Sequence, residues 1–135
     1  MKNALIILCS LSALAACKQD ISSDEQAMYD KVMVIHDEVM PKIKTINKSE
    51  IALKKLAKTV TSPEDKAAIT KTLGDLKVAY DLMFEWMDNF KKKAKFPEGA
   101  DYMDYLMKEE VRIQKVSDAM LTSISDADAL IKKNQ

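Results

Sequence analysis

The chain has 135 residues, and its 21 basic and 21 acidic side chains give a formal net charge of zero at pH 7. This balance argues against a nucleic-acid partner, because phosphate recognition needs an excess of basic side chains on one surface. The only cysteines, Cys9 and Cys17, stand near the start of the chain, so disulfides and thiolate metal sites are excluded from the rest. That remainder is long enough to form one core by packing alone.

The first residues have the composition of a secretory signal peptide. Lys2 is followed by an apolar run from Leu5 to Leu14, which is too short to span a membrane. The sequence Leu14-Ala15-Ala16-Cys17 closes the run and resembles the lipobox of bacterial lipoproteins. The resemblance implies that residues 1–16 are removed and that Cys17 carries a lipid such as palmitate. An ordinary signal peptide with an incidental cysteine is the alternative.

A short polar segment, residues 17–23, is predicted to tether this lipid to the folded domain. Lys18 follows the cysteine, at the position where an aspartate favours inner-membrane retention in lipoproteins of the enterobacterial type. The resemblance therefore predicts a lipid-anchored protein of the cell envelope, held at the outer membrane. Both a periplasmic and a surface location fit this prediction.

Helix one is predicted from about Asp24 to Val60. It begins with Ser22-Ser23-Asp24-Glu25, which fits a capping box. Apolar residues then recur every seven positions, as in the seam of a coiled coil. These residues are Val32, Val39, Ile46, Leu53 and Val60. Pro41 lies inside the helix and has no N–H to donate, so it predicts a kink or a new helix start there.

Two further helices are predicted to follow. Ser62 and Pro63 suit the N-cap and first position of helix two, and Asp101 suits the cap of helix three. The predicted seam of helix two is Ile69, Leu73, Leu76, Tyr80, Met83, Met87 and Phe90, and the cations Lys91, Lys92 and Lys93 are predicted to end it. The apolar face of helix three is Tyr102, Leu106, Ile113, Val116, Met120, Ile124, Ala127 and Ile131.

The fold prediction follows from these three amphipathic helices and the short loops between them. No segment alternates with the two-residue period of a half-buried strand. The sequence predicts an all-α fold, an up-down-up antiparallel three-helix bundle over residues 24–135, with helix one kinked near Pro41.

The chain carries no recognisable catalytic motif. It has no glycine-rich phosphate loop, no His-Glu-x-x-His pair and no nucleophile elbow. Neighbouring acids such as Glu109 and Glu110 point about 100° apart on a helix. They are therefore predicted to lie on a solvated face rather than to form an acid/base pair. The sequence favours a non-enzymatic binding or structural module, using its polar helix faces and the loop from Lys95 to Ala100 to contact an envelope protein.

Methionines, one histidine and one tryptophan suggest an alternative function. Met33, His36 and Met40 are spaced to lie on one stripe of helix one. Antiparallel pairing would bring residues of the other helices to the same level, namely Met83, Trp86, Met87 and Met107. Thioethers and imidazole favour Cu(I), and the Trp86 face could add a cation–π contact. In residue types only, the set resembles the His-Met-Met-Trp copper site of small periplasmic copper chaperones.

Two other interpretations of this cluster stay open. Methionine is a flexible gap-filler, so core packing is favoured over a soft-metal site. A His/Met pair in a helical bundle also resembles the haem ligation of b-type four-helix cytochromes, which makes haem a weaker alternative.

Two segments, residues 36–43 (His-Asp-Glu-Val-Met-Pro-Lys-Ile) and 83–87 (Met-Phe-Glu-Trp-Met), resemble a known group of proteins. The group consists of small, uncharacterised helical lipoproteins of bacteria, some of which carry the label "viral A-type inclusion protein". The resemblance implies a helical fold and a lipid anchor, and it implies no activity.

Overall fold

The computed structural model describes residues 20–134, which are mostly helical and contain no strand. The prediction of an all-helical bundle is confirmed. Four α-helices are present: α1 (Ser23–Val39), α2 (Ile43–Leu56), α3 (Pro63–Asn89) and α4 (Tyr102–Lys133). The predicted signal peptide and Cys17 lie outside the described residues. None of the described helices has the length and apolar character needed to cross a membrane.

All three predicted helix caps are present. The Ser22 hydroxyl accepts from the Glu25 N–H at 3.2 Å, and the Glu25 carboxylate accepts from the Ser22 N–H at 2.9 Å. Ser62 caps α3 by accepting from the Asp65 N–H. Asp101 caps α4 by accepting from the Asp104 N–H at 2.9 Å. Each cap satisfies a backbone donor that has no partner within the helix.

The first arm of the bundle consists of α1, α2 and the turn between them. Met40–Lys42 forms a single 3-10 turn around Pro41. The Met40 N–H makes the last bond of α1, to the His36 carbonyl. The Ile43 N–H bonds the carbonyls of Met40 and Pro41, after which α-helical bonding resumes. Proline has no N–H donor, so regular bonding cannot pass through this position. The predicted kink itself stays a prediction.

The third arm, α4, packs against every other helix, and α2 packs against α3. The backbone of α1 packs closely on α4 and hardly approaches α3. Two ion pairs join the ends of the arms: Lys93 to Glu25 at 2.8 Å and Lys133 to Asp65 at 2.6 Å. With α3 as the second arm, these contacts place the segment after the second arm beside the start of the first, and the end of the third beside the start of the second.

The seven-residue pattern of the first arm locates the core at four of its five positions, whereas Val60 is only partly buried and follows the end of α2 at Leu56. Val32, Val39, Ile46 and Leu53 are all at most 3% exposed. The apolar face of α4 is also mostly buried, from Tyr102 to Ala127. Within the described residues, the heptad positions of the first arm and the apolar face of α4 therefore both belong to the core.

The predicted seam of α3 is buried at Ile69, Leu76 and Met83, but Leu73 and Tyr80 between them only pack against the core from its edge, partly buried. Thr72, Ala79 and Trp86 are buried there, whereas Met87 is 38% exposed. The buried spacing runs 69, 72, 76, 79, 83 and 86, so the helix is turned relative to the predicted face. Thr72 and Ala79 are small enough for α2 and α4 to approach closely. Trp86 is large and lies level with α1, which α3 does not closely approach.

The segment after α3 is held against α4 by two tyrosines. Helix α3 ends at Asn89, so the predicted terminal lysines lie beyond it. The Lys91 N–H donates to the Tyr105 hydroxyl at 2.7 Å, and the Tyr102 hydroxyl donates to the Lys91 carbonyl at 3.2 Å. Burial raises the pKa of Tyr102 to about 12, so its phenol stays protonated as a donor. Both backbone groups of Lys91 are therefore satisfied.

Two isoleucines of α2 give a matched test of the core. Ile46 is 1% exposed and Ile51 is 71% exposed. We expect Ile46→Ala to lower the free energy of unfolding by ~2–5 kcal/mol, because it leaves a cavity in the core. Ile51→Ala should change it by less than ~0.5 kcal/mol. Urea unfolding followed by circular dichroism measures both, and equal losses for the two variants would contradict the packing described above.

Candidate functional site

A groove of about 610 Å³ runs between α3 and α4. Its volume lies within the ~300–1,000 Å³ typical of small-molecule sites. Apolar and aromatic side chains are interleaved with charged ones along both helices. The lining residues are Leu82, Glu85, Trp86, Asn89, Lys91, Tyr105, Glu109, Arg112, Lys115 and Val116. We refer to this set as the α3–α4 groove.

Trp86 connects the groove to the core. Its side chain lines the groove while only 6% of its surface is exposed. On the core side, the indole contacts the His36 ring, with centroids 5.5 Å apart, and the Phe90 ring, with centroids 4.8 Å apart. The indole Nε1–H is buried and finds no hydrogen-bond acceptor among the described residues. A buried donor without an acceptor costs about 1–3 kcal/mol, so Trp86 is not optimised for stability alone.

Glu109 corrects the prediction that the Glu109–Glu110 pair lies on a solvated face. Glu109 is only 3% exposed. The Arg112 guanidinium donates to its carboxylate, with Nη1 and Oε1 2.7 Å apart. Glu109 takes the position of α4 between Leu106 and Ile113 that continues the buried heptad. A carboxylate inside a heptad seam, three residues before an arginine, is the sequence signal that could have located this side of the groove.

The exposed rim of the groove is mostly cationic. Lys91 and Lys115 form no ion pair with any residue in the described part of the chain, and neither does Glu85. Arg112 uses one N–H on Glu109, and its side chain is otherwise 65% exposed. The groove therefore presents two unpaired ammonium groups and part of a guanidinium against one unpaired carboxylate.

Tyr105 forms the end of the groove nearest the loop. Its hydroxyl accepts from the Lys91 N–H, and its ring contacts Phe90 and Phe96 at centroid distances of 6.1 Å and 4.9 Å. Burial is the main cause that raises the pKa of Tyr105 above its ordinary value. The phenol is therefore neutral at physiological pH and adds no charge to the site.

The structure places the predicted soft-metal residues at different depths, some in the core and others at the surface. The His36 side chain is 14% exposed, contacts Trp86, and places Nδ1 2.8 Å from the Asp37 carboxylate. Met83 is fully buried, and Met33 and Met40 pack against the core. The sulfur-bearing side chains of Met87 and Met107 are 38% and 53% exposed.

The copper hypothesis therefore stays a prediction. Two of its proposed ligands, Met87 and Met107, are exposed at the surface. Among residues 20–134, no three His, Cys, Asp or Glu side chains are grouped as metal ligands. Cys17, the predicted lipidation site, lies outside this range. No family model, no curated protein and no solved structure matches the chain.

The Glu109–Arg112 pair generates a stability prediction. Arg112→Ala should lower the free energy of unfolding by ~1–3 kcal/mol, because it leaves the buried Glu109 carboxylate without its charged donor. Adding Glu109→Leu to Arg112→Ala should recover most of that loss, since no buried charge then remains. Lys108→Ala, which breaks an exposed pair with Asp104, is the control and should cost below ~1 kcal/mol. A double variant no more stable than Arg112→Ala would contradict the role given to the pair.

Proposed function

We propose that this protein is a lipid-anchored binding protein of the cell envelope, and that the α3–α4 groove is its binding site. The observation that carries the proposal is the position of Trp86. It is a buried aromatic residue that lines a groove of small-molecule size and holds a donor without an acceptor. Sites for small ligands commonly combine apolar walls with a few polar groups that fix orientation.

The chemistry of the groove supports binding rather than catalysis. No serine, cysteine or histidine is among its lining residues, so it offers none of the common nucleophile–base pairs. Its one buried carboxylate, Glu109, is already held by Arg112. A carboxylate held in this way contributes to the shape and polarity of the groove rather than to proton transfer.

The anchor is supported by the sequence before the bundle. The lipobox-like Leu14-Ala15-Ala16-Cys17 is followed within a few residues by the capping box at Ser22, where α1 begins. A lipid on Cys17 would therefore hold the bundle close to the membrane, at the end where α1 starts. Lys18 supports the outer membrane as the location. In this proposal, the polar helix faces contact an envelope protein as a further partner.

Lipidation is tested by substitution of the two cysteines. The wild-type protein should incorporate a palmitate analogue in a bacterial host that processes lipoproteins, and it should partition into the detergent phase. Cys17→Ala should lose both properties, because the acylated sulfur is removed. Cys9→Ala is the matched control and should keep both. A Cys17→Ala protein that still carries the label would overturn the anchor.

A further inference from the structure

We infer that the ligand of the α3–α4 groove is a small organic anion with an apolar ring body, such as an aromatic carboxylate or sulfonate. The inference rests on the proposed function, because it assigns a ligand class to the site proposed there. It is carried by the charge and the apolar surface of the described groove residues.

The body of the ligand is defined by the apolar part of the groove. Leu82 and Val116 lie on opposing helices, and Trp86 and Tyr105 add aromatic surface. Val116 is 5% exposed and Trp86 is 6% exposed, whereas Leu82 and Tyr105 are partly exposed. A ligand ring would therefore cover mainly the apolar surface of Leu82 and Tyr105, with Trp86 and Val116 contributing their small exposed areas. Ring systems bury apolar area efficiently and stack on aromatic side chains. A purely polar ligand would leave this surface without a complementary contact.

The charge of the ligand is defined by the rim. Lys91 and Lys115 are exposed and form no ion pair among residues 20–134. Arg112 uses one of its N–H donors on Glu109. Lys91 is also held in place through its backbone by Tyr102 and Tyr105. An anionic group on the ligand would meet these cations.

A cationic ligand is disfavoured by the same residues. The carboxylate of Glu109 is buried and paired with Arg112. Glu85 is therefore the acidic residue of the groove lining that is free to attract a cation. Any cation near Glu85 would also approach two unpaired lysines. Like charges brought together in this way oppose binding.

The indole Nε1–H of Trp86 adds a polar contact to this description. It is covered by its neighbours and has no acceptor in the described part of the chain. A carboxylate or sulfonate oxygen is a strong acceptor. A ligand oxygen that reached the indole donor would satisfy it and remove the cost of leaving it unpaired.

Two dyes with the same rings test the inference directly. Anilinonaphthalene sulfonate carries a sulfonate, and N-phenylnaphthylamine has the same aromatic body without it. Trp86 is the only tryptophan of the chain, so energy transfer from its fluorescence reports dye bound to the bundle, and the lysine variants test whether that dye lies in the groove. The protein is the chain from residue 17 with Cys17→Ser, which keeps lipid out of the optical signal and keeps the result independent of the anchor.

We expect the sulfonate dye to bind more tightly than the neutral dye. Lys91→Gln with Lys115→Gln should weaken sulfonate binding by about three- to tenfold, as expected for two exposed charge contacts, and should leave neutral-dye binding unchanged. Lys44→Gln with Lys48→Gln, two exposed lysines of α2 outside the groove, removes the same charge elsewhere. This control should alter neither dye by more than about twofold.

The possible failures are distinguishable. If the two dyes bind equally and neither responds to the groove lysines, the anion preference is overturned, while energy transfer from Trp86 still leaves the protein a binder of apolar rings. If both double variants weaken the sulfonate dye equally, overall charge is responsible and the assignment to the groove is overturned. If neither dye receives energy from Trp86, the binding function proposed for the groove fails as well.

Discussion

The structure depends on how the space between α1 and α3 is filled. In the other half of the bundle, α2 approaches α3 directly, and the small residues Thr72 and Ala79 are buried there. Next to α1 the helices stay apart, and aromatic rings bridge the space. Tyr29 contacts Phe90 at 5.8 Å between ring centroids, and His36 contacts Trp86 at 5.5 Å. Trp86 is thus required by the core, and its position at the α3–α4 interface also makes it part of the groove.

Charged residues define the ends of the arms and one side of the groove. The Lys93–Glu25 pair has side chains that are each 15% exposed, and it links the loop after α3 to the start of α1. Lys93 and the Ser22 N–H lower the pKa of the Glu25 carboxyl, so the carboxylate stays ionised below the ordinary carboxyl pKa. The stabilisation from this contact is complete above that ordinary pKa and is lost as the pH falls through the lowered one. The groove lies in this same half of the bundle. Under the proposed anchor, the binding site therefore stands in the half nearer the membrane.

Periodicity predicted the first arm well and the second arm only in part. Val32, Val39, Ile46 and Leu53 are apolar at every heptad position, so any method that counts hydrophobic residues finds them. On α3, the buried Thr72 and Ala79 carry little hydrophobic signal, and the half-buried Leu73 and Tyr80 carry more. The predicted face was therefore displaced, and Met87 was assigned to a seam that Trp86 occupies. Small residues become buried where two helices approach each other closely. The hydrophobicity of a single sequence does not indicate where that happens.

The groove was not predicted for a related reason. Sequence alone predicts a solvated Glu109 because buried carboxylates are rare, although its heptad position on α4 continues the core face. The contact between His36 and Trp86 followed from the antiparallel register, since both were expected at one level of the bundle. A cavity between two helices depends on the rotation of each helix about its axis. Because the predicted face of α3 was rotated from the buried one, the α3–α4 groove did not follow from the sequence.

The indole proton of Trp86 offers the most direct measurement of the central claim. Because the chain has one tryptophan, a ¹H–¹⁵N spectrum of the chain from residue 17 with Cys17→Ser contains a single indole resonance. The account predicts that this proton exchanges slowly with water, since Nε1 is buried, and that its resonance shifts when anilinonaphthalene sulfonate fills the groove. Rapid exchange with water, or a resonance that does not move at saturating dye, would contradict the placement of Trp86 between core and groove.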